Sequence, residues 1–290
     1  RQNWFDNNAA EHRAIRENVG MYDMSSFGKI RVEGPDACAA LNHICGNDVD
    51  VAPGRLVYTQ FLNSTGGIEA DVTVTRLSET AYLVICPAAT RLADQTWIER
   101  HIGDHRVTVT DMTAAEATLA IMGPNARKLI EMVSPDDWSN DVHPFGMART
   151  VELGMCHARA HRVTYVGELG WELYISSEMA GHVFETIREA GRALDLKMVG
   201  LHAMDSLRIE KAFRHFGHDI TCEDNVVDAG LGFAVKTAKN DFIGREAVLK
   251  RKEDGPKLRM LQFRLTDSQP LLFHHEPIVR DGNVVGYLTS

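Results

Sequence analysis

No two cysteines in this chain stand at metal-ligand or redox spacing. The five present, Cys38, Cys45, Cys86, Cys156 and Cys222, are odd in number and scattered, which argues against a disulfide framework and against a zinc site. Basic charge is also short, with 31 Lys and Arg against 40 Asp and Glu, a formal net charge of -9. Nucleic acid and anionic lipid both need a dominant basic face and are therefore disfavoured as main partners, although a small anionic ligand can still find a local Arg or Lys. No uninterrupted apolar run approaches the roughly 18 residues of a membrane span, and Arg1-Gln2-Asn3-Trp4 lacks the apolar core of a signal peptide. The expectation is a soluble protein of a reducing compartment, the cytoplasm or the mitochondrial matrix, with no membrane partner.

The common nucleotide and hydrolase signatures are missing as well. Neither GxGxxG nor GxxxxGK[ST] occurs, and the nearest run, GLGFAV from Gly230, lacks the third glycine. There is no HExxH, GxSxG or EF-hand loop, so no metal is expected. Asn63-Ser64-Thr65 matches a glycosylation sequon by chance if no signal peptide is present.

What is present is ordinary globular material. The 290 residues are 44% hydrophobic and 24% charged, enough for two or three modest cores. Two segments look alike. Lys29 to Ile44 and Leu119 to Val133 each read as strand, Gly-Pro-Asp/Asn-Ala and amphipathic helix, with the proline expected at the first helical position. Short alternating runs joined by tight turns point to antiparallel sheets and an α+β class. From Phe242 onward the pattern is β-rich: KLRMLQFRL, then PIVRDGNVVGYL with an Asp281-Gly282 hairpin turn. This suggests a C-terminal barrel or sandwich, and the stop just after the second strand suggests an incomplete one.

Two hairpins gather polar side chains. In YTQFLNSTGGIEADVTV a turn at Ser64-Thr65-Gly66-Gly67 sets Tyr58 opposite Thr73 and Gln60 opposite Asp71, all on one face, with Phe61, Val72 and Val74 on the other. In VTYVGELGWELYI the same counting sets Tyr165 opposite Glu172, where a phenol can orient a carboxylate for two parallel N–H bonds. Each face reads equally as solvated sheet surface. HAMDSLRIEKAFRHFGHDI reads as a helix ended by Gly217, carrying Arg208, Lys211 and Arg214. It fits a solvated face with a Glu210–Arg214 pair, and His215 and His218 read as helix-end residues.

These segments, with AEHRAIRENVGMYDMSSFGKIRVEGPDA before them and LGFAVKTAKNDFIGREA after, span nearly the whole chain in order. Together they resemble the aminomethyltransferase (glycine-cleavage T-protein) superfamily, and within it the folate-binding C-terminal region of dimethylglycine and sarcosine dehydrogenases. The resemblance implies a three-lobed cloverleaf around a tetrahydrofolate site. Residues 1–28 with 116–238 would form a discontinuous central α+β domain, 29–115 a second, and 239–290 a C-terminal β-barrel domain.

By the same resemblance Asp71, ending GGIxxD, is the catalytic carboxylate, and Tyr58 and Thr73 line its pocket. Glu172 reads the pterin ring with Tyr165 beside it, and Arg208 adds a fixed positive charge. Ala70 replaces the first aspartate of GGIxDD, and Phe216 replaces a tyrosine. The implied activity is capture of the carbon released on oxidative demethylation of a dimethylglycine- or sarcosine-like amine, giving 5,10-methylenetetrahydrofolate. The oxidation, with its FAD, would belong to another domain or subunit. The alternatives are direct methyl transfer from an amine or sulfonium compound, and folate binding without catalysis.

Overall fold

The computed structural model describes residues 2–267 and 269–290. Arg1 and Ser268, which fall in the first and last of the expected domains, lie outside the described residues. Helix α1 (Phe5–Glu17) leads into a six-stranded sheet of β1 (Gly20–Asp23), β7 (Glu116–Met122), β8 (Ala148–Leu153), β9 (Cys156–His161), β10 (Gly170–Ser176) and β11 (Lys197–Met198). Their order is β11-β1-β7-β10-β9-β8. A five-stranded sheet, in the order β3-β4-β5-β2-β6, contains β2 (Gly28–Glu33), β3 (Leu56–Leu62), β4 (Ile68–Ser78), β5 (Ala81–Cys86) and β6 (Thr108–Asp111). Every pairing in both is antiparallel except the two-residue contact of β1 with β11. The mixed class with antiparallel sheets is therefore as expected.

Alternation along the strands decides which face each sheet buries. Phe61, Val72, Val74, Ile30, Val32 and Val84 pack on Leu41 and Ile44 of α2 (Ala37–Ile44) and Ile98 of α3 (Arg91–His101). In the six-stranded sheet Trp171, Leu173 and Ile175 pack on α4 (Ala126–Glu131) and α5 (Ala180–Gly191). The opposite face of that sheet is shared. Near β1 it meets α1 and α6 (Leu201–Glu210) through Ile15, Tyr22, Ala120, Met204 and Leu207. Near β10 it meets the other sheet, where Tyr174 packs on Leu83 and Ile85. The polar faces of the two sheets thus look toward each other.

The repeated strand–turn–helix unit is real in structure. Gly34 (φ 152°) and Gly123 (φ 128°) make equivalent turns after β2 and β7, and each lies against a neighbouring carbonyl. A Cβ would stand 2.1 Å from Arg106 O at the first and 2.4 Å from Asn18 O at the second. The prolines are not the first helical residues, however. Asp36 and Asn125 are the N-caps, so Pro35 and Pro124 precede the caps and rigidify the approach.

After α6 the chain differs from expectation. The helix stops at Glu210, not Gly217, because Ala212 adopts a left-handed conformation with φ 54°. Helix α7 (Arg245–Asp254) follows, and Lys239 ahead of it donates Nζ hydrogen bonds to the carbonyls of Asn42, Cys45 and Asn47 where α2 ends. No strand forms at KLRMLQFRL. Among the described residues of 239–290 the only sheet is a hairpin of β12 (Pro277–Arg280) and β13 (Asn283–Tyr287), in place of a barrel. Its Asp281-Gly282 turn has φ of 53° and 78°, the twist-compatible turn that Asp-Gly favours. No helix among the described residues is long and apolar enough to cross a membrane.

Candidate functional site

Beyond its turn the first hairpin has the expected register. Tyr58 pairs with Thr73 and Gln60 with Asp71, while Leu62 meets Ile68 across a bulge that absorbs one residue. Gln60 Nε2 donates a 2.8 Å hydrogen bond to Asp71 Oδ1. Burial pushes the Asp71 carboxyl above the usual aspartate range, opposed by the Gln60 amide, the Tyr58 phenol and the charge of Arg214. Burial and then Asp71 raise the phenol of Tyr58 in turn. Ala70 lies on the packed face against Phe61, so its lack of a carboxylate leaves the polar face unchanged.

The row continues across the sheet. Thr73 is in register with Ile85, and Ile85 with Lys29, which places Lys29 two strands, or about 10 Å, from Thr73 on the same face. Lys29 is fully buried, and its Nζ donates to the carbonyls of Ser25 and Phe27 at 3.0 and 2.9 Å. Its charge favours the anion of Glu172 on the facing sheet, against the burial that raises that carboxyl.

The second hairpin corrects the sequence reading. β10 pairs with Cys156–His161, so Glu172 stands opposite His161 and not Tyr165. Residues 162–169 form a loop in which Gly167 has φ 78°. The phenol holding Glu172 is Tyr174, whose Oη donates at 2.7 Å to Glu172 Oε2. Tyr165 instead donates at 2.8 Å to the carbonyl of Arg214 and stacks on Phe213. Its ring packs in the cluster of Tyr22 and Met204, and Asp71 is among the charges acting on it.

Arg208 is not on a solvated face. It is 1% exposed and bonds Asp205 at 2.7 Å, Asp219, Phe213 O and Ser290 Oγ at 2.8 Å, so its charge is matched inside the protein. The Glu210–Arg214 pair does not form. Glu210 bonds Arg16, and Arg214 bonds the carbonyls of Ala212 and Ala229.

The structure therefore gathers Asp71, Tyr58 and Thr73 on one sheet and Glu172 on the facing one, with Tyr165 at their edge and Arg208 behind. Four neighbours not singled out as site residues are Gln60, Lys29, Tyr174 and Arg214. Tyr174 was findable, since it alternates with Glu172 in WELYI and shares its face. Buried atoms without a hydrogen-bond partner on these faces include Gln60 Oε1 and Thr75 Oγ1 on one sheet, and Thr118 Oγ1 (across from Tyr174), His161 Nδ1 and Tyr22 Oη on the other. Leaving such groups unpaired costs about 1–3 kcal/mol each, which a polar ligand would recover. Two open clefts, of about 280 Å³ at Phe145 to Gly170 and about 330 Å³ around His43, Lys239 and Asp241, do not include these residues.

Residues 1–239 match the family described as the GCVT N-terminal domain. The whole chain is 42% identical to 4-methylaminobutanoate oxidase (formaldehyde-forming) of Paenarthrobacter nicotinovorans, of which it covers 35%. It is 33% identical, again over its whole length, to mitochondrial dimethylglycine dehydrogenase of Homo sapiens, of which it covers 34%. The chain thus spans about a third of the length of these relatives. The crystal structure of glycine cleavage system aminomethyltransferase T from Bartonella henselae superposes with a TM-score of 0.86 at 27% identity, covering 98% of this chain and 76% of that one.

Proposed function

We propose that this chain, which belongs to the aminomethyltransferase family of the GCVT N-terminal domain, binds tetrahydrofolate between its two sheets and loads a one-carbon unit onto it. The family is one of folate-dependent aminomethyl and one-carbon transferases. The observation that carries the reading is the pair of carboxylates on facing sheets, Asp71 and Glu172, each held by one neutral donor, Gln60 or Tyr174. Unpartnered buried acceptors and hydroxyls lie around them.

With Oε2 held by Tyr174, Glu172 has Oε1 free for the N–H edge of a planar heterocycle, and heterocycles lacking those N–H groups would leave a buried carboxylate unpaired. Gln60 Oε1 and Thr75 Oγ1 offer further polar contacts, and Tyr58, Thr73 and Tyr165 shape the walls. Bound tetrahydrofolate supplies the nucleophilic nitrogens that take up the carbon. Asp71 stabilises positive charge developing beside it and then accepts a proton, a role suited by burial that lifts its affinity for protons. Arg208 supports the site through the network that ties α6 to Asp219.

The relatives' names specify methylated amines, 4-methylaminobutanoate and dimethylglycine. For this chain the donor is then an iminium or formaldehyde equivalent formed by oxidation of such an amine on an FAD-bearing domain or subunit, and the product is 5,10-methylenetetrahydrofolate. Anaerobic calorimetric titration with tetrahydrofolate tests the reading. One-to-one binding at micromolar or tighter Kd is expected, and its absence in folded protein would sink it. Formation of 5-methyltetrahydrofolate from an unoxidised methyl donor would replace oxidative capture with direct methyl transfer.

A further inference from the structure

Arg214 is oriented by neutral groups and matched by no acid. It follows the left-handed turn at Ala212, and its guanidinium donates to Ala212 O at 2.7 Å and Ala229 O at 3.1 Å. Its own carbonyl is held by Tyr165. Carbonyls fix a guanidinium without neutralising it. Arg16 pairs with Glu168 and Glu210, Arg76 with Asp50 and Glu79, Arg159 with Glu116, and Arg208 with Asp205 and Asp219, whereas Arg127 and Arg162, like Arg214, are held by neutral groups. Among the described residues no carboxylate pairs with Arg214, in a chain with 40 acidic residues against 31 basic ones.

Its position relative to the site is also defined. The charge acts on both Asp71 and Tyr58. Asp71 is engaged by Gln60. Nη2, which makes no hydrogen bond among the described residues, lies over Gly230, where a Cβ would come within 2.7 Å of it. Three residues along, exposed Phe233 stands 6.2 Å from the Tyr58 ring, so the same loop borders the arginine and the tyrosine. A fixed guanidinium with a free donor, beside a phenol and a proton-accepting carboxylate, is suited to take a planar oxyanion.

The geometry points to Arg214 as an anion-binding residue of this site, receiving a carboxylate carried by one of the two reactants. This rests on the folate reading above. The carboxylate belongs either to the glutamate of tetrahydrofolate or to a donor derived from an N-methylated amino acid, and the two sources separate by experiment. Calorimetry would compare tetrahydrofolate with tetrahydropteroate, which lacks the glutamate, on wild type, Arg214→Gln and Arg214→Lys. NMR would follow the Arg214 Nε resonance of wild type during titration with N-methylglycine or dimethylamine.

If the acceptor supplies the carboxylate, Arg214→Gln weakens tetrahydrofolate by about tenfold or more, leaves tetrahydropteroate unchanged, and Arg214→Lys falls between. If the donor supplies it, both pterins keep their affinity and the resonance moves with N-methylglycine alone. Equal losses for both pterins, or no loss together with no resonance shift, would overturn the assignment. Should wild type bind neither pterin, the folate reading fails by itself, and the resonance in unmutated protein still decides for or against Arg214.

Discussion

Tyr174 stands two residues beyond Glu172 on the same face of β10 and donates a 2.7 Å hydrogen bond to its carboxylate. One strand thus supplies both an acid and the group that aims it, and the aim survives any movement of the 162–169 loop. Removing the hydroxyl as Tyr174→Phe takes away a bond to a charged group, of the kind that contributes about 1.5–3 kcal/mol. Tetrahydrofolate affinity should fall by roughly tenfold or more. That bond also opposes the upward push of burial on the Glu172 carboxyl, so the variant's carboxylate forms at higher pH and its affinity should recover in part as pH rises. Calorimetry at two pH values reads both effects, and unchanged affinity would remove Glu172 from the binding surface.

Asp71→Asn keeps an oxygen for Gln60 and loses the charge. Folate affinity should stay within a few-fold while one-carbon transfer is abolished; transfer at wild-type rate would show that another group moves the proton. A second effect follows from the raised carboxyl. Stability from the protonated form is present below the ordinary aspartate range and is lost as pH rises through the folded value. The asparagine variant should therefore melt higher than wild type at neutral pH and at the same temperature in acid.

Asp94, 1% exposed in the first turn of α3, offers a sharper titration. Burial, ahead of any other cause, pushes its carboxyl up to about 6, against bonds from Thr90 and Cys86. Its contribution is fully present below pH about 4 and disappears as pH climbs through about 6. Asp94→Asn should gain roughly 3 kcal/mol over wild type at pH 7 and nothing at pH 4. Urea melts at both pH values check this, and the same difference at both would mean that the Asp94 carboxyl titrates in the ordinary aspartate range.

Gly34→Ala and Gly123→Ala each drive a Cβ into a backbone carbonyl and impose a side chain on positive φ. Each should cost about 2–4 kcal/mol in denaturant melts. A loss below about 1 kcal/mol at either position would mean that the neighbouring segment yields easily.

The first hairpin was legible because the Tyr58–Thr73 and Gln60–Asp71 pairs counted from a four-residue turn survive in the structure, where a bulge offsets the one extra residue between Leu62 and Ile68. The second hairpin defeated the same count. VTYV alternates as a strand does, yet eight residues intervene between His161 and Gly170, and Tyr165 turns away to the Arg214 carbonyl. Loop length was the hidden variable. Arg208 was illegible for another reason: its partner Asp219 and the contact from Ser290 lie 11 and 82 residues away, and no local spacing announces such a pair. The helix end at Glu210 depends on a left-handed alanine, which sequence preferences disfavour.

The three carbonyls that converge on Lys239 offer the kind of oxygen cage in which an alkali ion sits. Here the ion is tethered. A free cation would come and go with the composition of the medium, and the end of α2 would loosen whenever it left. Carried on a side chain, the charge cannot diffuse away, so what loosens the junction between α2 and the segment leading to α7 is loss of a proton, which burial makes easier for Lys239, and not the supply of ions in the medium.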